Sequence, residues 1–475
     1  MDTNKGAHAP QPSSANSFWQ ELGNAIRGIE ADYTKISVNR AIFLLAIPMM
    51  LELVMESTFA VADIYFVGKL GPSAVATVGL TETYLYLLYS IAMGMAMAVT
   101  AIVARRIGEQ DRDAAAISAV QAIWLGVLIS VPFAVAGIFY SPQLLALMHA
   151  DAWALTEGYR YTQWMLGSNV VIVLLFVINA IFRGAGDAAV AMRVLLIANG
   201  INIVLDPILI FGWGPIPAYG VEGAAIATTI GRGIGVLVQL WSLFQVGKHI
   251  RVRAAHLLFD VRAQLNILRT SLGGIGQMIV AMTSWIFLMR ILADVGSAAV
   301  AGATITIRIM MFTMMPAWGM SNAAATLVGQ NLGAGQPERA ESSVWKIGSY
   351  NMVFLIGVSV LYFFLNEELV AIFSDDAAVI AAGAEWIRIL SYSYFVYGWW
   401  MVSAQAFNGA GDTRTPTYIN LVFFWLIQIP LSWWLALQLG WGQSGVFWGV
   451  FFSETGVGLF TLWLFTRGSW KHVKV

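Results

Sequence analysis

Twelve stretches of this chain are each apolar over the length of helix needed to cross a lipid bilayer. They lie near residues 40–68, 75–104, 116–142, 158–182, 189–212, 220–246, 266–294, 298–328, 345–366, 380–407, 415–438 and 441–466. A helix covers the hydrocarbon core with about 20 residues. No water is available there to satisfy backbone groups, so runs of this length commit the chain to helices. Composition agrees, with 58% hydrophobic and only 11% charged residues, too apolar for a soluble domain. The expected product is an all-α integral membrane protein with twelve transmembrane helices.

Several function classes fall away on the same reading. A net charge of −1, with no Lys/Arg stripe interleaved with aromatics, lacks the footprint of nucleic-acid binding. Cysteine is absent, which removes disulfides, thiolate metal sites and cysteine nucleophiles together. His8, His149, His249, His256 and His472 all fall in polar tails or connections, outside the spans. There is no HExxH and no GxSxG, so no enzymatic constellation is expected. The pieces "GRGIG", "GAGD" and "NLGAGQ" lack a preceding strand and a GK[ST] ending, so no nucleotide cofactor is expected and close helix packing explains them. The partners left are the bilayer and small organic molecules; no obligate protein partner is evident. The N-terminal tail is polar and is not a signal peptide. Within it "SFWQELGNAIRGI" places Phe18, Leu22, Ile26 and Ile29 at helical spacing, which fits an interfacial amphipathic helix or a frayed tail.

The basic residues orient the spans. With the N-terminus in the cytoplasm, the tails and even-numbered connections hold 20 of the 26 Lys and Arg, among them Arg105, Arg106, Arg183, Arg339 and Lys471. Lys69 alone sits plainly in an outer connection, while Arg232, Arg290 and Arg308 lie inside spans. The expected location is the cytoplasmic membrane, with both termini inside.

The chain also repeats itself. "FRGAGD" ends at Asp187 and "FNGAGD" at Asp412, 225 residues apart. The same offset relates Gly71 to Gly296, Gly94 to Gly319, Gly108 to Gly333, Gly220 to Gly445 and Gly231 to Gly456. Six spans per copy is an even number, so the copies enter the membrane in the same sense, about an axis along the membrane normal. Two like six-helix bundles then face each other across a central cleft, a geometry suited to alternating access. The expected division is a tail (1–35), a first lobe (36–247), a basic amphipathic cytoplasmic linker (248–265), a second lobe (266–466) and a short tail (467–475).

Where the copies differ, chemistry is the expectation. Asn199, Asn202 and Asp206, at i, i+3 and i+7, share one face of span five. At the same offset the second copy has Phe424, Ile427 and Leu431, and Asp63 of span one maps to Leu288. Thr228 alone keeps a hydroxyl in its counterpart, Ser453. An ionisable group inside a bilayer is costly enough to suggest a role; the other reading is a buried aspartate that fixes packing by hydrogen bonding to asparagine. Pro207 withholds an N–H and frees the Ile203 carbonyl. Carboxylates, amide oxygens, a hydroxyl and a freed carbonyl suit a small hard cation such as Na⁺, and the same carboxylates could take protons instead. Glu52, Glu56 and Asp63 share one face of span one, and Pro48 marks a bend there. Pairing with Arg308 is the structural alternative for Glu52 and Glu56; Glu82 and Glu454 are further intramembrane acids. Trp285, Trp318, Trp399 and Trp400, with Met310, Met311, Met314 and Met315, either line an adaptable pocket or fill lipid-facing surface.

Over residues 36 to 466 the chain resembles the multidrug and toxic compound extrusion (MATE) family. The resemblance rests on "VADIYFVGKLG", "FRGAGD" and "FNGAGD", "NIVLDPILIFG", "GVEGAAIATTIG" and "VGQNLGAG". It implies two six-helix bundles around a V-shaped cleft, and exchange of inward Na⁺ or H⁺ for outward organic, often cationic and aromatic, compounds. It also implies that Asp63, Asn202, Asp206 and Thr228 form a cation site in the first lobe and that span one bends at Pro48. Span seven, "SLGGIGQMIVAMTSWIFLMRIL", has no carboxylate, unlike members with an acidic second lobe. Coupling is therefore expected in the first lobe alone, with Glu56, Asn199 and Glu52 as secondary or cleft residues. The alternative is a lipid-linked saccharide flippase, which requires a cationic cleft.

Overall fold

A computed structural model describes residues 14–246 and 250–473. Lys5, His8, Lys248, His249 and Lys474, with part of the expected tail and linker, lie outside the described residues. The polar N-terminal segment forms a helix, α1 (Ser14–Arg27), whose Phe18 meets Phe43 edge-on while Trp19 stays exposed. The first lobe continues with α2 (Val38–Gly68), α3 (Pro72–Gly108), α4 (Arg112–Leu147), α5 (Tyr159–Gly167), α6 (Asn169–Ala185), α7 (Ala188–Phe211) and α8 (Val221–Trp241). The second comprises α9 (Val261–Val295), α10 (Ser297–Gly333), α11 (Pro337–Phe364), α12 (Asn366–Ala371), α13 (Ala377–Ser391), α14 (Tyr394–Ala410), α15 (Arg414–Asn420), α16 (Ile429–Trp433) and α17 (Gln443–Thr466).

Among the described residues, eleven helices are long and apolar enough to cross a membrane. The twelfth crossing, the tenth in chain order, is made of two helices, α13 and α14, which part at Tyr392 and Ser393. The break is itself part of the repeat, because α5 and α6 part at Ser168, 225 residues earlier. In the first copy the Asn169 side chain donates to the Leu166 carbonyl at the end of α5 (2.6 Å) and to the Ser130 carbonyl of α4 (3.1 Å), so it satisfies a carbonyl at the interruption and ties the break to the neighbouring helix.

Tertiary contacts carry the same symmetry as the sequence. A Cβ on Gly94 would overlap the Ile275 backbone of α9, and one on Gly319 would come within 2.6 Å of Met50 in α2. Gly108 lies against Gln330 and Gly333 against Arg105 in the same paired fashion. Each pair maps onto the other at the repeat offset, so these glycines are kept twice because both are crossing points between lobes. The duplicated "GAGD" has a second reason: Gly186 and Gly411 end their helices at φ 91° and 92°, a left-handed conformation that disfavours any side chain.

Side-chain hydrogen bonds between the lobes gather near one end of the bundle. Thr326 donates to the Arg183 carbonyl (3.0 Å), Gln330 to Gly184 (2.9 Å) and Arg105 to Ala410 (3.3 Å), and Arg339 reaches back to Tyr33 (3.0 Å). This is the end rich in arginine. Among the described residues no such bond joins the lobes at the opposite end, near Gly71 and Gly296. Helix α9 starts at Val261, five residues before the expected start of the second lobe, where the Asp260 carboxylate caps it by accepting from the backbone N–H groups of Arg262 (2.8 Å) and Ala263 (3.2 Å).

Candidate functional site

Helix α7 packs between α2 and α8, and its polar face is turned fully inward. Asn199, Asn202 and Asp206 are all buried, Asp206 completely. The approach of α8 depends on glycine: a Cβ on Gly231 would stand 2.7 Å from the Ala198 carbonyl and 3.2 Å from Asn202 Cβ. That close crossing lets Asn202 Nδ2 donate to Thr228 Oγ1 at 3.1 Å. With its N–H used in this way, the amide of Asn202 is left with a buried Oδ1 that has no partner.

Three more oxygens share that condition. Asp206 Oδ1 and Oδ2 and Asp63 Oδ1 are buried with no hydrogen-bond donor. Asp63 reaches the region from α2, close enough to repel Asp206 electrostatically. Buried carboxylate oxygens are almost always paired. Two carboxylates and an amide oxygen without donors, beside a threonine hydroxyl, form a set of oxygens able to take a cation or protons. Among the described residues no three His, Cys, Asp and Glu side chains cluster as metal ligands; this set has two carboxylates, and its other oxygens are neutral.

The other residues expected on span one separate into two further groups. Glu52 is buried in an ion pair with Arg183 (2.9 Å), and Asn179 donates to it at 3.3 Å. Gln239 closes this network by donating to Asn179 Oδ1 at 2.6 Å. Glu56 pairs with Arg232 (2.9 Å), and Asn199 donates to the Met55 carbonyl (3.3 Å) and reaches Glu56 (3.5 Å). The Arg308 pairing considered for these acids does not form: Arg308 is exposed on α10, in the opposite lobe, and arginines of the first lobe take both places.

Sequence reasoning left Arg232 without a place in the site. It is buried, stacks its guanidinium over Phe59 at 5.3 Å and attracts Asp63 electrostatically. Its second-lobe counterpart is Val457, and that loss of charge at the repeat offset was the signal that would have found it. Both prolines sit inside unbroken helices, Pro48 in α2 and Pro207 in α7.

The second lobe has a different interior. A cavity of about 260 Å³ is lined by Trp285, Trp318 and Trp400 and by the methionines from Met310 to Met315. Trp399 does not join them, since it packs on Gly348 and donates to Met352 Sδ at 3.2 Å.

Comparison with known proteins fits this two-lobe arrangement. One family model, MatE, matches residues 48–208 and again residues 274–434. The chain belongs to the MatE family. It is therefore a multi-pass membrane transporter, and the two matches fall on the two lobes. Among MatE relatives it is 25% identical over 434 residues to a probable multidrug resistance protein NorM of Thermotoga maritima, covering 91% of this chain and 93% of the relative. It is 26% identical over 400 residues to an FAD transporter of Shewanella oneidensis, covering 83% of this chain and 87% of that one. In fold it matches the outward-facing conformation of a multidrug resistance MATE transporter with a TM-score of 0.85, at 24% identity and over 92% and 97% of the two chains.

Proposed function

We propose that this MatE protein is an antiporter of the cytoplasmic membrane that couples inward Na⁺ or H⁺ to export of organic, cationic or aromatic compounds. The single observation that carries the coupling is the group of four donorless buried oxygens on Asp63, Asn202 and Asp206. Asp63 and Asp206 act as the switching carboxylates, while Asn202 and Thr228 supply neutral oxygens. With both termini cytoplasmic, the hydrogen-bonded end of the bundle faces the cytoplasm and this conformation is closed there. An ion arriving from outside removes the repulsion between the two carboxylates, and α2, weakened at Pro48 by its missing N–H, then repacks. Ion binding drives the cycle only through unequal affinity for the outward and inward states.

The assignment agrees with the multidrug relatives named above and with a second-lobe cavity that has no basic lining residue. That cavity gives nothing to a pyrophosphate, which weighs against the flippase alternative. The test is counterflow in proteoliposomes with a Na⁺ or H⁺ gradient imposed alone. Substrate efflux driven by one gradient, and lost in Asp206→Asn, is the expected result; efflux in that variant at the wild-type rate would reject the role.

A further inference from the structure

The second-lobe cavity contains one charged group. Glu454, on α17, lines it, is only 6% exposed, and its Oε2 is buried with no hydrogen-bond donor. At the repeat offset the first lobe has Thr229, whose hydroxyl is fully engaged with Ser168 (2.9 Å) and the Ala225 carbonyl (2.8 Å). Only neutral groups, the Tyr397 hydroxyl and the Gln428 amide, come close enough to interact with Glu454, and no basic residue lines the cavity, so nothing there balances its charge. The same cavity is lined by Trp285, Trp318 and Trp400, whose first-lobe counterparts are Ala60, Met93 and Leu175. Indole faces attract cations and flat apolar rings, and thioethers such as Met310 and Met314 adapt to varied shapes. A carboxylate with no opposite charge among such groups is costly, and a partner of opposite charge and apolar body relieves that cost.

We propose that this cavity is a binding site for aromatic organic cations in which the Glu454 carboxylate is the counter-charge and the three tryptophans clasp the apolar body. The site is separate from the Asp63–Asp206 group, so substrate and coupling ion are held by different lobes. The inference rests on the antiporter reading for its place in transport, but the binding itself does not.

The test uses two ions of one shape and opposite charge, tetraphenylphosphonium and tetraphenylborate, titrated against the purified full-length protein with quenching of tryptophan fluorescence as readout. The wild type is expected to bind the phosphonium at least tenfold more tightly than the borate. Glu454→Gln should remove that preference by weakening phosphonium binding at least tenfold, while Glu454→Asp, which keeps the charge, retains it. A wild type that binds both ions equally overturns the proposal without any variant, as does a Glu454→Gln protein with unchanged preference. Flux separates this failure from failure of the antiporter reading. Charge-selective binding in a protein that neither gradient drives would sink the coupling alone; gradient-driven phosphonium efflux with an unchanged KM in Glu454→Gln would sink the pocket alone.

Discussion

The two lobes share a scaffold and differ in what they bury. In the first, α7 turns Asn199, Asn202 and Asp206 inward, and Asp63 and Arg232 join them from α2 and α8. In the second, every one of those positions is apolar, and the cavity is rich in tryptophan and methionine with one carboxylate, Glu454. The backbone differs as well. Leu421–Gln428, the counterpart of the α-helical stretch that carries Asn199 and Asn202, widens into π-helix. Crossing points between lobes are kept in both copies, since the pseudo-symmetric interface needs them twice. On the proposed division, an ion in one lobe and an organic molecule in the other, the ligand groups are free to diverge.

The sharpest way to break this division is at Asp206. Asp206→Asn keeps shape and removes the charge, and it should abolish gradient-driven flux, a loss of at least a hundredfold, while phosphonium still quenches tryptophan fluorescence. If the quenching vanished with the flux, the lobes would not be separate in function. Next in size is the scaffold they share. Gly94→Val and Gly319→Val both force a side chain into a helix crossing, and each should lower stability by about 1–3 kcal/mol or more. Thermal melts in detergent that showed a large effect at one position and none at the other would contradict a symmetric interface.

Arg232→Gln sharpens the comparison within the first lobe. It removes a charge-assisted hydrogen bond to Glu56, which is partly exposed, and should cost about 1–3 kcal/mol in the same melts. The equivalent Val457→Gln change tests only packing. The smallest effect concerns the one hydroxyl the copies share. Thr228→Ala deprives Asn202 of its acceptor and should weaken the ion dependence of flux about 2- to 10-fold. Ser453→Ala should leave that dependence unchanged, because Ser453 donates to the Phe423 carbonyl at 2.7 Å instead. Equal responses would remove the distinction drawn between these hydroxyls.

Much of this was legible in the residues. The spans followed from apolar run length, the duplication from one constant offset, and the inward face of α7 from its i, i+3, i+7 spacing. The break at Ser393 was missed because apolarity runs straight through it; its twin at Ser168 shows only as a serine followed by a capping asparagine. Periodicity also proposed Glu52, Glu56 and Asp63 as one set. They do share a face of α2, yet Glu52 meets Arg183, Glu56 meets Arg232, and only Asp63 joins Asp206.

The amino-acid sequence by itself settled the membrane-spanning helical class, the twofold repeat and which side chains share a helix face, because those depend on composition and on the geometry of a single helix. The tertiary structure alone decided which acid meets which arginine, which oxygens stay without donors and where Glu454 points. Those outcomes depend on how helices far apart in the chain pack, and the pairs involved, such as Glu56 with Arg232, leave no periodic trace in the chain.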